Sequence, residues 1–383
     1  MPSYLKGGRL VNIRKQILGC LFLTVFLSGC WDEQLLKDVA LINSQAFDLD
    51  SDHGLIQMTI AVVSGNSNEK IPTTTTIIAA EGNSVRDART ELDKKIGSEL
   101  FASKNQVTLF SKKLAKKDIY AVLDGNYRSP LSALTARLAV VEEQAGEALH
   151  VQTENKPLIS DYLQDVLMSA EETGSIPVVS LQNTLSVLYD NDQDLILPTV
   201  EVLENHSGIK LTGSALFNGR RMTGEINSDE TIMLLLLDGS ANGEHRMTKK
   251  VHSMGYDDLY DFITVDVEKL DRNFTLTKND QGQFEAQIDL ILKLDANEYP
   301  ADHLYKESIV KKVNTELSEQ FTKQANEVLK KIQEANCDYL AIGRQVRAFY
   351  YEDWQQLDWN EAYPTIKFKA NVTAEIIYHG IIN

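Results

Sequence analysis

Two stretches near the C-terminal end alternate between apolar and polar residues, and they constrain the fold more than any other feature of this 383-residue chain. Phe284, Ala286, Ile288, Leu290, Leu292 and Leu294 interleave with Glu285, Gln287, Asp289 and Lys293, and Ile366, Phe368, Ala370, Val372, Ala374 and Ile376 repeat the pattern. Successive side chains of a strand point to opposite faces, so each stretch predicts a strand with one apolar face. Between them Ile309, Val313, Leu317, Phe321, Ala325, Val328 and Ile332 recur at helical spacing, which predicts an amphipathic helix over about 306–335. One-sided alternation favours antiparallel neighbours over a parallel sheet buried on both faces. The expectation is a long helix laid on an antiparallel sheet.

The rest of the body reads as helices and strands in separate stretches. Leu55 to Val63 predicts a strand, entered through Asp48, Asp50, Asp52 and Gly54 as turn residues. Ser84 with Asp87 three residues on resembles a capping box ahead of the Val85, Ala88, Leu92, Ile96 and Leu100 stripe. Gln106 to Phe110 predicts a short strand and Asp118 to Leu123 a helix, while Asn191 to Pro198 reads as a connection. Ala215 to Phe217 and Gly219 to Gly224 suggest strand, turn and strand before a short buried helix at Thr231 to Leu237. The class is α+β: mixed, largely antiparallel sheets, each packed with helices, in two to three domains. The expected divisions are an N-terminal α+β region over 30–208 and a C-terminal α+β domain over 209–383, after a leader over 1–29.

That leader is read from charge and length. Lys6, Arg9, Arg14 and Lys15 precede an apolar run of 11 residues, Ile17 to Leu27. This is the order of an export signal, and a permanent span needs about 20 apolar residues. Leu27-Ser28-Gly29-Cys30 follows at once and resembles the lipobox of bacterial lipoproteins. That resemblance implies cleavage between Gly29 and Cys30, with S-diacylglycerol and an N-acyl group on Cys30, and an extracytoplasmic body held to a membrane by lipid.

Only three cysteines occur, and with Cys20 lost and Cys30 acylated, Cys337 has no intrachain partner. Of 38 Lys+Arg, the four in the leader are removed, leaving 34 against 55 Asp+Glu, a balance of −21. Such a surface repels nucleic acid and anionic headgroups alike, so attachment rests on the lipid.

The motifs that could carry chemistry are sparse. Ser67-Asn68-Glu69-Lys70 has the spacing of a Ser–Lys acylation pair but lacks its companion elements. Asp190, Asp192, Asp194 and Glu201 fall at four positions of a calcium loop, yet Leu195 stands where the turn wants glycine, which favours a solvated acidic turn. The histidines His53, His150, His206, His245, His252, His303 and His379 are scattered without metal-ligand or catalytic pairing. No catalytic residues, metal site or cofactor are expected, and the chain is not read as an enzyme.

The mature start, Cys30-Trp31-Asp32-Glu33-Gln34-Leu35, resembles that of the Ger(x)C lipoproteins, the C subunits of spore germinant receptors. The likeness continues through Glu81-Gly82-Asn83-Ser84, Gln106 to Lys117, Gly213-Ser214-Ala215-Leu216-Phe217 with Gly219 and Gly224, and then Asp338, Gly343, Trp354, Trp359, Pro364 and His379-Gly380. Ala102-Ser103-Lys104-Asn105 departs from the aromatic, histidine-containing stretch of the family. Trp354 and Trp359 read as core or interface packing, and the glycines as backbone turns.

The resemblance implies a non-enzymatic, lipid-anchored docking or coupling subunit at the spore inner membrane, acting with integral-membrane A and B subunits in the response to nutrients. The competing reading is an extracytoplasmic solute-binding lipoprotein that captures the germinant or a transported nutrient. Against it, the sequence shows no long βαβ alternation of a two-lobed binding protein. An envelope hydrolase would need a nucleophile–base constellation that is not recognisable here.

Overall fold

The computed structural model describes residues 39–50, 53–64, 74–152, 156, 158–240, 243–251 and 260–380. Gly29 and Cys30, the whole leader, Ser67 to Lys70 and His252 lie outside them. In the first half, β1 (Val39–Leu49), β2 (Ile56–Ser64) and β3 (Thr74–Gly82) form an antiparallel meander. Helix α1 (Val85–Ile96) then leads to β4 (Glu99–Phe101) and β5 (Val107–Ser111), both parallel to β1. Short helix α2 (Lys112–Ala115) and α3 (Tyr120–Arg128) lead to β6 (Arg137–Val141). After it come a 3-10 turn at Ala145–His150, α4 (Ile159–Glu172), α5 (Leu181–Leu188) and β7 (Ile196–Val202). Strands β8 (Ile209–Asn218) and β9 (Arg221–Asn227) complete a nine-stranded sheet in the order β3-β2-β1-β5-β6-β7-β8-β9, with β4 also on β1. The first sheet therefore runs on past residue 208.

The parallel middle of this sheet was not foreseen. It is buried on both faces: Phe47, Phe110, Leu138 and Val140 meet α1, α3 and α5, while Ala46, Leu109, Ala139 and Val141 meet α4 and the 3-10 turn. Helix on both faces is what a parallel run requires. Ile196 to Pro198, expected in a connection, belong to β7. β6 pairs with β7 only at Thr199 and Val200, so Pro198, which has no N–H, sits where that ladder has ended. Asp48 is also no turn residue. It lies in β1, buried, and accepts from the N–H groups of Ala145 at 2.7 Å and Gly146 at 2.9 Å. The turn that follows is real, with Gly54 in the left-handed region at φ 67. At α1 Ser84 caps as expected, but the Asp87 carboxylate accepts from Asn83, not from Ser84.

The second half starts with α6 (Ser228–Asp238), capped by Asn227 and Glu230 in a capping box and buried from Thr231 to Leu237. Strands β10 (Met247–Lys250), β11 (Phe262–Lys278) and β12 (Phe284–Glu298) are antiparallel. Helix α7 (Glu307–Glu334) follows, then α8 (Ile342–Phe349), α9 (Tyr351–Trp354), α10 (Trp359–Ala362) and β13 (Lys367–Tyr378). All seven stripe residues of α7 are buried, in one cluster with the apolar faces of β12 and β13.

β13 joins β12 in parallel, from Glu285↔Lys367 to Asp295↔Tyr378, which corrects the antiparallel expectation. α7 is the crossover that a parallel pair needs. It covers one face only, and a sheet with one wetted face alternates whichever way its strands run. Among the described residues, no helix is long and apolar enough to cross a membrane.

α7 also closes the outer edge of β13. Asn326 brackets Ala370, accepting from its N–H at 3.0 Å and donating to its C=O at 2.8 Å. Thr322 does the same at Val372. Ser318 accepts from Ala374 and Asn314 from Ile376. Four helical residues rise about 6 Å and two strand residues about 6.6 Å, so the two repeats stay in step.

Candidate functional site

The loop between α5 and β7 carries three aspartates at alternate positions, and the fold sets them against residues about 150 positions further on. The Asp190 carboxylate takes the Arg344 guanidinium at 2.8 and 2.5 Å, and Asp192 takes Arg347. Asp194 accepts from the N–H groups of Gly219 at 2.7 Å and Asp338 at 2.8 Å, while its own N–H donates to the Asp338 carbonyl at 3.0 Å. Arg344 and Arg347 stand three residues apart on α8, so one face of that helix meets the loop. These aspartates form a clasp, not the solvated turn expected from sequence. Glu201 sits apart and exposed on β7.

Asp338 is the hub. It is buried, and its carboxylate accepts from the N–H groups of Ile342 at 2.8 Å and Gly343 at 2.7 Å and from Trp359 Nε1 at 3.1 Å. Gly343 is there for close approach, not for a turn. A Cβ on it would lie 3.0 Å from the Trp359 ring. Trp359 packs on Trp354 at 5.2 Å and on Tyr363 at 5.9 Å between ring centroids. Both tryptophans are partly buried against the core, as interface packing requires.

Desolvation dominates the electrostatics. Burial pushes Asp338 up to about 7 against the pull of its N–H donors, with the nearby Asp194 charge adding to the rise. Burial raises Asp194 and Asp192 too. Asp190 also feels burial, but Arg344 and the Asp192 N–H outweigh it and hold it below the usual carboxylate range. Beside the clasp opens a cleft of about 710 Å³, lined by Asp190, Asn191, Arg220, Trp354, Leu357 and Trp359.

These groups are spent on one another. Each clasp carboxylate faces guanidinium or N–H donors, and none faces a nucleophile that it could deprotonate. Among the described residues there is also no group of three His, Cys, Asp or Glu able to hold a metal ion. His206 pairs with Glu147 at 2.7 Å, and His245 is buried against the Gly174 carbonyl at 3.0 Å. The arrangement holds surfaces together. Of its members, sequence reasoning named the three aspartates, Asp338, Gly343 and the tryptophans, but not Arg344 or Arg347.

Fold and clasp thus define an α+β protein of two mixed sheets joined by a polar seam. Residues 32–202 match the family described as Spore germination protein N-terminal domain, and residues 212–380 match Spore germination B3/GerAC like, C-terminal. The chain belongs to this Ger(x)C family of spore germination proteins. It is 22% identical to spore germination protein GerQC of Bacillus cereus over 366 residues, covering 94% of this chain and 98% of that one. It is 21% identical to spore germination protein KC of Bacillus subtilis (strain 168), covering 97% of both. The crystal structure of the GerBC protein shares the fold, with a TM-score of 0.55 at 17% identity over 87% of this chain and 96% of that one.

Proposed function

We propose that the chain is the lipid-anchored C subunit of a spore nutrient germinant receptor, docking on integral-membrane A and B subunits and coupling them. The observation that carries this reading is the lipobox Leu27 to Cys30, placed directly ahead of a body that matches the spore germination family from residue 32 to residue 380. The clasp supports a mechanical role. Its carboxylates are engaged within the chain, Asp190 and Asp192 by arginines and Asp194 and Asp338 by N–H donors, which favours a rigid body that transmits contacts over one that performs a reaction.

In this reading Cys30 carries the S-diacylglycerol and N-acyl groups and Gly29 is the last residue removed. Residues 30–208 and 209–383 are the two regions, with β8 and β9 of the second completing the sheet of the first, and the protein sits on the extracytoplasmic face of the spore inner membrane. The test is capture of the tagged, lipidated protein from spore membranes in mild detergent. Co-purification of two integral-membrane germination proteins is expected. Recovery of the protein alone, or with a transporter, would reject the reading.

A further inference from the structure

Ile119 donates its N–H to the Arg220 carbonyl at 3.1 Å, which joins the segment after α2 to the tip of the β8–β9 hairpin. Leu114, Ala115 and Ile119 are buried, and the chain stays coiled through Lys117, whose N–H donates to the Leu114 carbonyl at 2.9 Å. Positions three and four apart on such a coil share a side, and Lys113, Lys116 and Lys117 are all exposed on it. Arg220 and Arg221 are exposed at the hairpin tip, where Gly219 takes a left-handed φ of 56. The fold thus gathers exposed cations from two segments far apart in sequence.

Among the described residues, none of these cations has an acidic partner. The acids of the same elements are already engaged: Lys112 takes Glu142 at 2.7 Å and Glu225 at 2.5 Å, and Asp118 accepts from the Tyr120 N–H at 2.8 Å. Asp190, which shares the cleft with Arg220, has Arg344. Elsewhere exposed cations do find acids, as Arg246 finds Asp266, Lys311 finds Glu307 and Lys331 finds Glu230. An unmatched basic patch is out of keeping with residues 30–383, whose 34 Lys+Arg face 55 Asp+Glu.

Arg220 is also set for a carboxylate. Its guanidinium lies 4.0 Å over the Tyr120 ring, and the Tyr120 hydroxyl is tied to that of Tyr189 at 2.5 Å and donates to Asp124 at 3.1 Å. Stacking occupies the face of the guanidinium and leaves its N–H edge for a planar, bidentate acceptor. The charge around the patch sets the size of the partner, because exposed charges are screened beyond about 8 Å at physiological ionic strength. A membrane surface or a nucleic acid would reach past the patch and set its own negative charge against the surrounding acids. A short acidic segment meets the cations alone.

We propose that this patch docks an acidic segment of a partner protein, with one carboxylate on the Arg220 N–H edge and others on Arg221, Lys113, Lys116 and Lys117. Neither the lipid anchor nor the identity of the membrane subunits enters into this docking.

The probe is a fluorescein-labelled hexaglutamate peptide, with hexaglutamine under the same label as the neutral control. Each is titrated with the full chain in uncharged detergent and followed by fluorescence anisotropy. Saturable binding is expected for hexaglutamate only, weakening about tenfold from low to physiological salt. The set Lys113→Gln, Lys116→Gln and Lys117→Gln should weaken it about tenfold, and so should the pair Arg220→Gln and Arg221→Gln, with the parent melting curve kept. Lys104→Gln, Lys210→Gln and Lys369→Gln together remove as much charge as the first set from exposed positions outside the patch, and should change affinity by about twofold or less. An equal loss from that control set would assign the binding to overall charge and overturn the proposal. Displacement of the peptide by an equal concentration of monomeric dihexanoyl-phosphatidylglycerol would assign it to a lipid headgroup and overturn it too, as would the absence of saturable hexaglutamate binding.

Discussion

Asp338 holds its proton to about pH 7 in the folded protein, against an ordinary value of 3.8. The folded state thus binds more protons than the unfolded chain across that interval, so stability falls as pH rises from about 4 to about 7. The stabilising share is complete below the ordinary value and gone above the raised one. Asn at 338 cannot titrate. Measured against Asp338→Asn, the parent should lose relative stability on the order of 2–4 kcal/mol between pH 4 and pH 8. Paired thermal melts across that range check it, and a constant difference would show that Asp338 is ionised throughout. The same residue marks where the sequence stops being legible. The spacing of Asp190, Asp192 and Asp194 was visible, but Arg344 lies 154 residues from Asp190 and leaves no local trace of the pairing. Three acids with distant partners read like three acids in water.

The elements of the second half were more legible, because periodicity reports which face is covered. Every residue of the Ile309 to Ile332 stripe is buried as its spacing implied. Leu317, fully buried between α7 and the sheet, is the sharpest probe. Leu317→Asp places a carboxylate there without a partner and should cost roughly 3–5 kcal/mol. An unchanged denaturant midpoint would contradict the packing. Strand direction was not legible, since period two is the same in parallel and antiparallel neighbours. Nor was the edge closure: Asn314, Ser318, Thr322 and Asn326 sit at four-residue spacing and look like an ordinary wetted face. Asn326→Leu should orphan the N–H and C=O of Ala370 and cost about 1–3 kcal/mol, with faster amide exchange at Ala370. Exchange unchanged from the parent would mean that water replaces the side chain at no cost.

At the scale of the whole molecule, one apolar cluster includes Ile196, Leu216 and Ile226 of the first sheet together with α6, α7 and the faces of β12 and β13. The polar clasp lies beside that shared core, which is the physical basis for treating the body as a unit. Residues 30–383 carry 34 Lys+Arg against 55 Asp+Glu, a balance of −21, so they gain nothing from anionic lipid. On the proposed anchoring, Cys30 supplies the only strong hold. Each buried methylene of an acyl chain contributes about 0.8 kcal/mol, one chain binds marginally, and two or more make a stable anchor. Cys30→Ala keeps the charged and apolar parts of the export signal but removes the thiol that receives the diacylglyceryl group. Its product should be either an uncut precursor held by the 11-residue apolar run or a released soluble body, with no diacylglyceryl form in either case. Spores carrying it should respond weakly to the nutrients of the cognate receptor and normally to other triggers. Mass spectrometry of the parent N-terminus decides the matter: the expected species begins at Cys30 with diacylglyceryl and acyl groups, and a bare cysteine or any other first residue would remove the anchor from the proposal.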